Sequence, residues 1–192
     1  MPSSLSVVGC NGKTDSQQPN PEGKTTGPQK PPKKKGPPKE PKTFAEAIIW
    51  PASARQGARK THAPPAFAGK PKALEVIDQD FVRDGKSGSV VAFRFNSNDD
   101  SKAKYEDIVR GMSGPPPIPG VGDEARGKSV NMVRQTGRSS IDLSRTSLCF
   151  RHGNYVVHIA FHWHSSIGEI TEFAKQLDQR LTQIDKNQSA KQ

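Results

Sequence analysis

Apolar residues are unevenly spread along this chain, and their densest run is Thr146 to Trp163, TSLCFRHGNYVVHIAFHW. The run reads as two β-strands joined at Gly153-Asn154, a two-residue hairpin signal, because both residue types tolerate the positive φ of primed turns. After the turn the odd positions are Tyr155, Val157, Ile159, Phe161 and Trp163, and the even ones are Val156, His158, Ala160, His162 and His164. Strand alternation sends the two sets to opposite faces. One face is aromatic and aliphatic and demands a cover, while the other reads as mostly solvated. The cover follows at once. Ser166-x-x-Glu169 is a capping box, and Ile167, Ile170, Phe173, Ala174, Leu177, Leu181 and Ile184 form one helical stripe. After Asp185 the polar tail KNQSAKQ reads as frayed, with residues 187–192 outside the domain.

Upstream, Leu74 to Val82 predicts a strand. A turn from Asp84-Gly85 to Gly88 leads to its partner, Ser89 to Phe95, with Val91, Phe93 and Phe95 on one face. Asn98 to Ser101 offers N-caps to a helix carrying Tyr105, Ile108, Val109 and Met112 at three- and four-residue spacing. A stiff Gly/Pro loop over 114–123 ends that helix. Lys128 to Gln135 then predicts a strand turned at Gly137, and a weaker strand at Ser140 to Leu143 leads to the central hairpin. Together these elements predict an α+β fold over residues 65–186, an antiparallel β-sheet with two packed helices.

The N-terminal third lacks this patterning. Asn11 to Lys42 contains no large apolar residue, so it cannot bury enough surface to offset the entropy of ordering and reads as a disordered Pro/Lys-rich tether. Thr43 to Trp50, TFAEAIIW, predicts a short helix with Thr43 as N-cap, Glu46 completing a capping box and Pro51 as the stop. Whether Phe44, Ile48, Ile49 and Trp50 pack on the domain or on a membrane is left open by the sequence. Ala52 to Lys70 returns to small and basic residues, which places the domain boundary near residue 64 and the linker over 11–64.

Charge follows the same division. The net charge is +10, yet Met1 to Pro64 carries eleven Lys/Arg against four Asp/Glu, and the remainder eighteen against fifteen. Basicity is therefore mostly a property of the tail, with its peak at Lys33-Lys34-Lys35. Such a run suits anionic lipid headgroups, at ~1 kcal/mol per basic residue near the surface. With no aromatic residue interleaved for base stacking, it is a poor nucleic-acid site. The two cysteines, Cys10 and Cys149, make no disulfide framework, and no apolar run is long enough to predict a transmembrane helix.

Among candidate catalytic groups, His162 and His164 share a face of the predicted strand, ~6.5–7 Å apart at Cα. H-x-H pairs of this kind hold zinc when a third ligand arrives, and His152 or a loop carboxylate is the available third. His158, four residues back and ~13 Å away, is too far to join. Without HExxH or Cys-rich spacing, these read as ordinary polar residues, and no metal is expected. Cys149 has no base singled out by spacing. Ser139-Ser140 and Ser165-Ser166 read as turn and cap residues, and neither GxSxG nor a P-loop is present. The expectation is a protein without catalytic residues or a cofactor.

Two phrases carry resemblances. Val7-Val8-Gly9-Cys10 resembles a bacterial lipobox, which implies cleavage after Gly9 and lipid attachment at Cys10, with residues 1–10 the end of a lipoprotein signal. The apolar run Leu5 to Gly9 is shorter than the usual ~7–15 residues and has no basic residue before it, features that an upstream start would supply. Pro119 to Ala125, PGVGDEA, followed by Arg151-x-Gly153-Asn154 and a β-branched strand, resembles a class of bacterial cell-envelope domains. These include sensor-like extracellular domains of some actinobacterial kinases and many lipoproteins of unassigned role, and the likeness covers roughly residues 70–185. It implies an antiparallel sheet with helices packed on it and a binding or scaffolding role at the cell surface. The expectation is a lipid-anchored extracytoplasmic module in the cell envelope with an unknown ligand or protein partner. The alternative is a soluble cytoplasmic protein whose basic tail engages nucleic acid or an acidic partner.

Overall fold

The computed structural model describes residues 40–62, 71–137 and 139–190. The described residues belong to one compact unit. They form a helix α1 (Phe44–Ala47), strands β1 (Arg55–His62), β2 (Glu75–Arg83) and β3 (Lys86–Arg94), a helix α2 (Asn98–Gly111), strands β4 (Glu124–Val130), β5 (Val133–Thr136), β6 (Ser139–Asp142), β7 (Arg145–His152) and β8 (Tyr155–Phe161), and a closing helix α3 (Ile167–Ser189). Six strands make an antiparallel sheet in the order β1-β2-β3-β8-β7-β4, and β5 and β6 form a separate two-stranded ribbon. The α+β class is as the sequence predicts: an antiparallel sheet with helices packed on it. No helix among the described residues is long and apolar enough to cross a membrane.

The central hairpin is β7–β8, with His152 paired to Tyr155 across the two-residue turn. Only Gly153 takes a positive φ, 52°, as the type II′ class requires. Asn154 contributes its side chain, whose Nδ2 donates to the Phe95 carbonyl at 2.9 Å. In the β2–β3 hairpin both Asp84 (φ 51°) and Gly85 (φ 76°) are left-handed, the type I′ pattern. Strand β3 accordingly starts at Lys86, and Gly88 is a strand residue rather than part of the turn.

Helix α3 lies over the odd face of β8. Ile170, Phe173, Ala174, Leu177, Leu181 and Ile184 are all buried against Leu148, Phe150, Val157, Ile159 and Phe161. Each of the larger side chains contributes ~1.5–3 kcal/mol through removal from water. The Ser166 hydroxyl caps the helix by accepting from Glu169 N–H at 3.1 Å. Where the sequence suggests a frayed tail from residue 187, the helix continues to Ser189. No Gly or Pro interrupts KNQS, and Lys186 in the last turn complements the helix dipole.

The even face of β8 is a correction. It is not mostly solvated, because α2 covers part of it: Val156 and Cys149 are buried with Val76, Phe95, Tyr105 and Met112 in a second apolar cluster. The sheet is thus sandwiched between α2 and α3.

The domain boundary also differs from the expected residue 64. Residues 52–62, read as linker, contain β1, which pairs with β2 from Arg55↔Val82 to His62↔Val76 around a bulge between Gln56 and Arg59. Its side chains are largely exposed, so it joins the sheet through its backbone, which leaves no apolar alternation to read. Helix α1 is part of the domain too. Phe44 stacks on Tyr155 with ring centroids 5.2 Å apart, and the Arg180 guanidinium donates to the carbonyls of Ala47 (3.2 Å) and Glu46 (2.7 Å). Thr43 caps it as expected, accepting from Glu46 N–H at 3.2 Å. The Glu46 carboxylate instead accepts from Lys42 N–H at 2.7 Å, one residue outside a capping box. The rest of the expected tether, residues 11–39, and Cys10 lie outside the described residues.

The expected strand 128–135 is split. Lys128 to Val130 close β4, whose last pair is Val130↔Arg145, while Val133 onward peels away to pair with β6. Since β7 begins at Arg145, the main sheet offers β5 no partner.

Candidate ligand-binding cleft

PGVGDEA and RHGN, thirty residues apart in the chain, meet at one corner. Asp123 N–H donates to the Arg151 carbonyl at 2.8 Å, and the Asp123 carboxylate accepts from Gly153 N–H at 2.8 Å. The largely buried Arg151 guanidinium returns the contact to Asp123 (3.0 Å) and Glu124 (2.8 Å). Gly122 has φ +56°, and a Cβ there would sit 2.2 Å from the Arg151 carbonyl oxygen, so only glycine fits. This is a clasp between a loop and a hairpin turn, with its polar groups satisfied by each other.

His152 extends the clasp to α3. Its Nδ1 meets the Asp178 carboxylate at 2.8 Å and its Nε2 meets Asp185 at 3.2 Å. The hydrogen bond to Asp178 raises its pKa, against the effect of burial. Burial pushes the Asp178 carboxyl up, but the hydrogen bonds from His152 and Gly122 N–H, with the imidazole charge, outweigh it and leave the pKa below the usual value. Both ring nitrogens are engaged, so His152 has none to offer as a base or a metal ligand.

The other histidines point elsewhere. His162 and His164 follow the end of β8, and His164 Nδ1 meets Asn131 Oδ1 at 2.9 Å. His152 sits toward α3 and His162 on the α2 side, so the suggested third ligand is on the wrong face. Among the described residues no three His, Cys, Asp or Glu side chains gather as a metal would need.

Register places His158 directly opposite Cys149, a base position that sequence spacing did not reveal. The pair is nonetheless tuned against nucleophilic chemistry. Burial raises the Cys149 thiol far above its ordinary value. Burial, with the charges of Arg145, His162 and Lys104, pushes His158 down to about 4. A thiolate–imidazolium pair needs the reverse of both shifts.

What surrounds His158 is a cleft of about 390 Å³. Helix α2 ends at Gly111, and Ser113 (φ 58°) and Gly114 (φ 68°) turn the chain left-handed into Pro115. The helix therefore stops short, and the ends of β4 and β7 are left uncovered. One wall is Ile108 of α2 with Met112, its C-cap, the floor is Lys128, Ser147 and His158 from three neighbouring strands, and Val130, Leu143 and Arg145 form the rim. The β4–β7 register pairs Lys128 with Ser147 and Val130 with Arg145, so the two cations are diagonal neighbours on one face, ~7–8 Å apart at Cα. No carboxylate is among the lining residues. The Nε2 atom of His158 is buried without a hydrogen-bond partner among the described residues. An orphan of that kind is costly unless something completes it.

Comparison with protein-family models, curated proteins and solved structures gave no match.

A second cleft, about 530 Å³, lies beside the clasp between Tyr105, Ile118, Glu124 and Arg126. Burial first, then the charges of Cys149 and Glu124, push the Tyr105 phenol up to about 12. Its acidic groups, Asp123 and Glu124, are already committed to Arg151. The His158 cleft is the better-equipped site, with two cations and an unpartnered imidazole nitrogen. Its local signal in the sequence is slight, a single Lys128 within β4. Arg145 and His158 join through pairing.

Proposed function

We propose that this chain is a non-catalytic binding or sensor-like module, attached to the extracytoplasmic side of a membrane through lipid on Cys10 and displayed on its Pro/Lys-rich N-terminal segment. The observation supporting a binding role is the cleft around His158, whose volume lies within the ~300–1,000 Å³ range of small-molecule sites and which joins an apolar wall to a few convergent polar groups. The opposed pKa shifts of Cys149 and His158 argue against a nucleophile there. Support for the anchor comes from VVGC and the tether-like composition after it. The PGVGDEA and RHGN residues, which carry the likeness to cell-envelope domains, serve in this reading as the clasp that holds the hairpin, and the cleft does the binding.

The test is the intact mass of the protein from membranes of its native host, beside a Cys10→Ala variant. Cleavage after Gly9 with added acyl mass, lost in the variant, is the expected result. An unmodified chain in the soluble fraction would discard the anchor. The second reading, a soluble basic protein engaging nucleic acid or an acidic partner, then takes its place. It expects binding that falls steeply with salt. Its basic segment is shorter than composition suggests, because Arg55, Arg59 and Lys60 belong to β1.

A further inference from the structure

We infer that the His158 cleft takes a small amphiphilic anion, a single short acyl chain ending in a carboxylate. This rests on the reading of the cleft as a ligand site and adds the chemical class of its occupant.

The cleft is divided in its chemistry. Ile108, Met112, Val130 and Leu143 provide apolar surface, and Lys128 with Arg145 provides two permanent cations beside the orphan Nε2 of His158. A ligand matching both needs a head that accepts hydrogen bonds and carries negative charge, and a tail that sheds water. The head must be compact, because Lys128 and Arg145 are separated by only one step along the sheet. A carboxylate bridging them accepts from both. A neutral molecule leaves two cations facing apolar surface without a partner from the ligand. A bare anion leaves the apolar wall wet. The volume of about 390 Å³ fits one chain and excludes a two-chain lipid. Val130 and Leu143 are among the exposed large hydrophobics, at 37% and 47%, together with Met132 and Val133. Apolar surface thus continues from the rim toward the ribbon, a path along which a longer tail can extend.

The experiment uses the full chain, with acetate, dodecan-1-ol and dodecanoate below its micelle concentration as probes, read by calorimetry and by the imidazole and methyl resonances of His158 and Ile108. Dodecanoate is expected to bind at least roughly tenfold more tightly than either other probe. Arg145→Gln and Lys128→Gln are each expected to weaken it roughly tenfold while leaving the dodecanol response unchanged. Displacement of dodecanoate from His158 and Ile108 by a two-chain phosphatidylglycerol would overturn the single-chain carboxylate, and lack of displacement is the expected result. Equal binding of dodecanol and dodecanoate, or indifference to both glutamine variants, overturns the anionic head. Equal binding of acetate and dodecanoate overturns the tail. If dodecanol shifts His158 and Ile108 but dodecanoate does not, the amphiphilic anion fails and the ligand site survives. If no probe shifts either residue, the ligand-site reading fails as well.

Discussion

The two faces of the central sheet are built from the same strands but are finished differently. Toward α3, twenty-three residues of helix and the short α1 seal the surface, and the aromatic group of Phe81, Phe161, Trp163 and Phe173 packs ring against ring. Toward α2, a fourteen-residue helix stops early and leaves a cleft with two cations, an unpartnered imidazole nitrogen and exposed apolar rims. The lesson is a division in closure: one face is sealed by helix, and the other leaves the ends of its strands open.

The largest test of that division is a pair of truncations. Leu177→Ala on the sealed face should lower unfolding free energy by ~2–5 kcal/mol, because a fully buried leucine leaves a cavity. Ile108→Ala on the cleft side, where the residue is half-buried against an existing space, should cost under about 1.5 kcal/mol. Urea melts of both variants measure the difference, and equal losses would erase the distinction.

The histidines of the two faces should respond to pH with opposite sign. His158 titrates at about 4 in the folded chain, below its ordinary value of 6.5. Its contribution is therefore present above pH ~6.5 and lost as pH falls toward 4, an effect of up to about 3 kcal/mol. His158→Gln should flatten that acid-side loss in denaturation measured across pH. His152 is shifted upward by its two aspartates, so its contribution is full below the unfolded value and lost as pH rises through the folded one. His152→Ala should cost more at pH 5 than at pH 8, by on the order of 1 kcal/mol.

The clasp gives an intermediate effect. Gly122→Ala must hold a left-handed φ and push against the Arg151 carbonyl, which should cost on the order of 2 kcal/mol in the same melts. The smallest effect belongs to His164→Ala. Its ring is exposed and, among the described residues, its hydrogen bond is to Asn131, so stability should move by less than about 0.5 kcal/mol.

The sealed face is legible in the sequence because alternation on β8 and the helical stripe of α3 are both strong and adjacent. The DG and GN turns are legible because few residues tolerate positive φ. Strand β1 is hidden for the opposite reason. RQGARKTH has polar side chains on both faces, the way an edge strand resists pairing with another chain, and only its backbone meets β2. The cover over Val156 is hidden because histidines interrupt that face of β8, so it imitates a wet one. The cleft is hidden because Lys128, Arg145 and His158 lie on three strands, and only the β4–β7–β8 register gathers them. Sequence spacing describes single strands well and says little about what lies side by side.

The most direct test of the two-face account is an NMR titration of the imidazole resonances of the full chain between pH 3 and 9. The account expects His158 to titrate near 4 and His152 above its ordinary 6.5, on opposite sides of the unperturbed value in one spectrum. If both titrate together near 6.5, His158 is not enclosed by the α2 face and His152 is not held by α3, and the contrast between the faces does not exist.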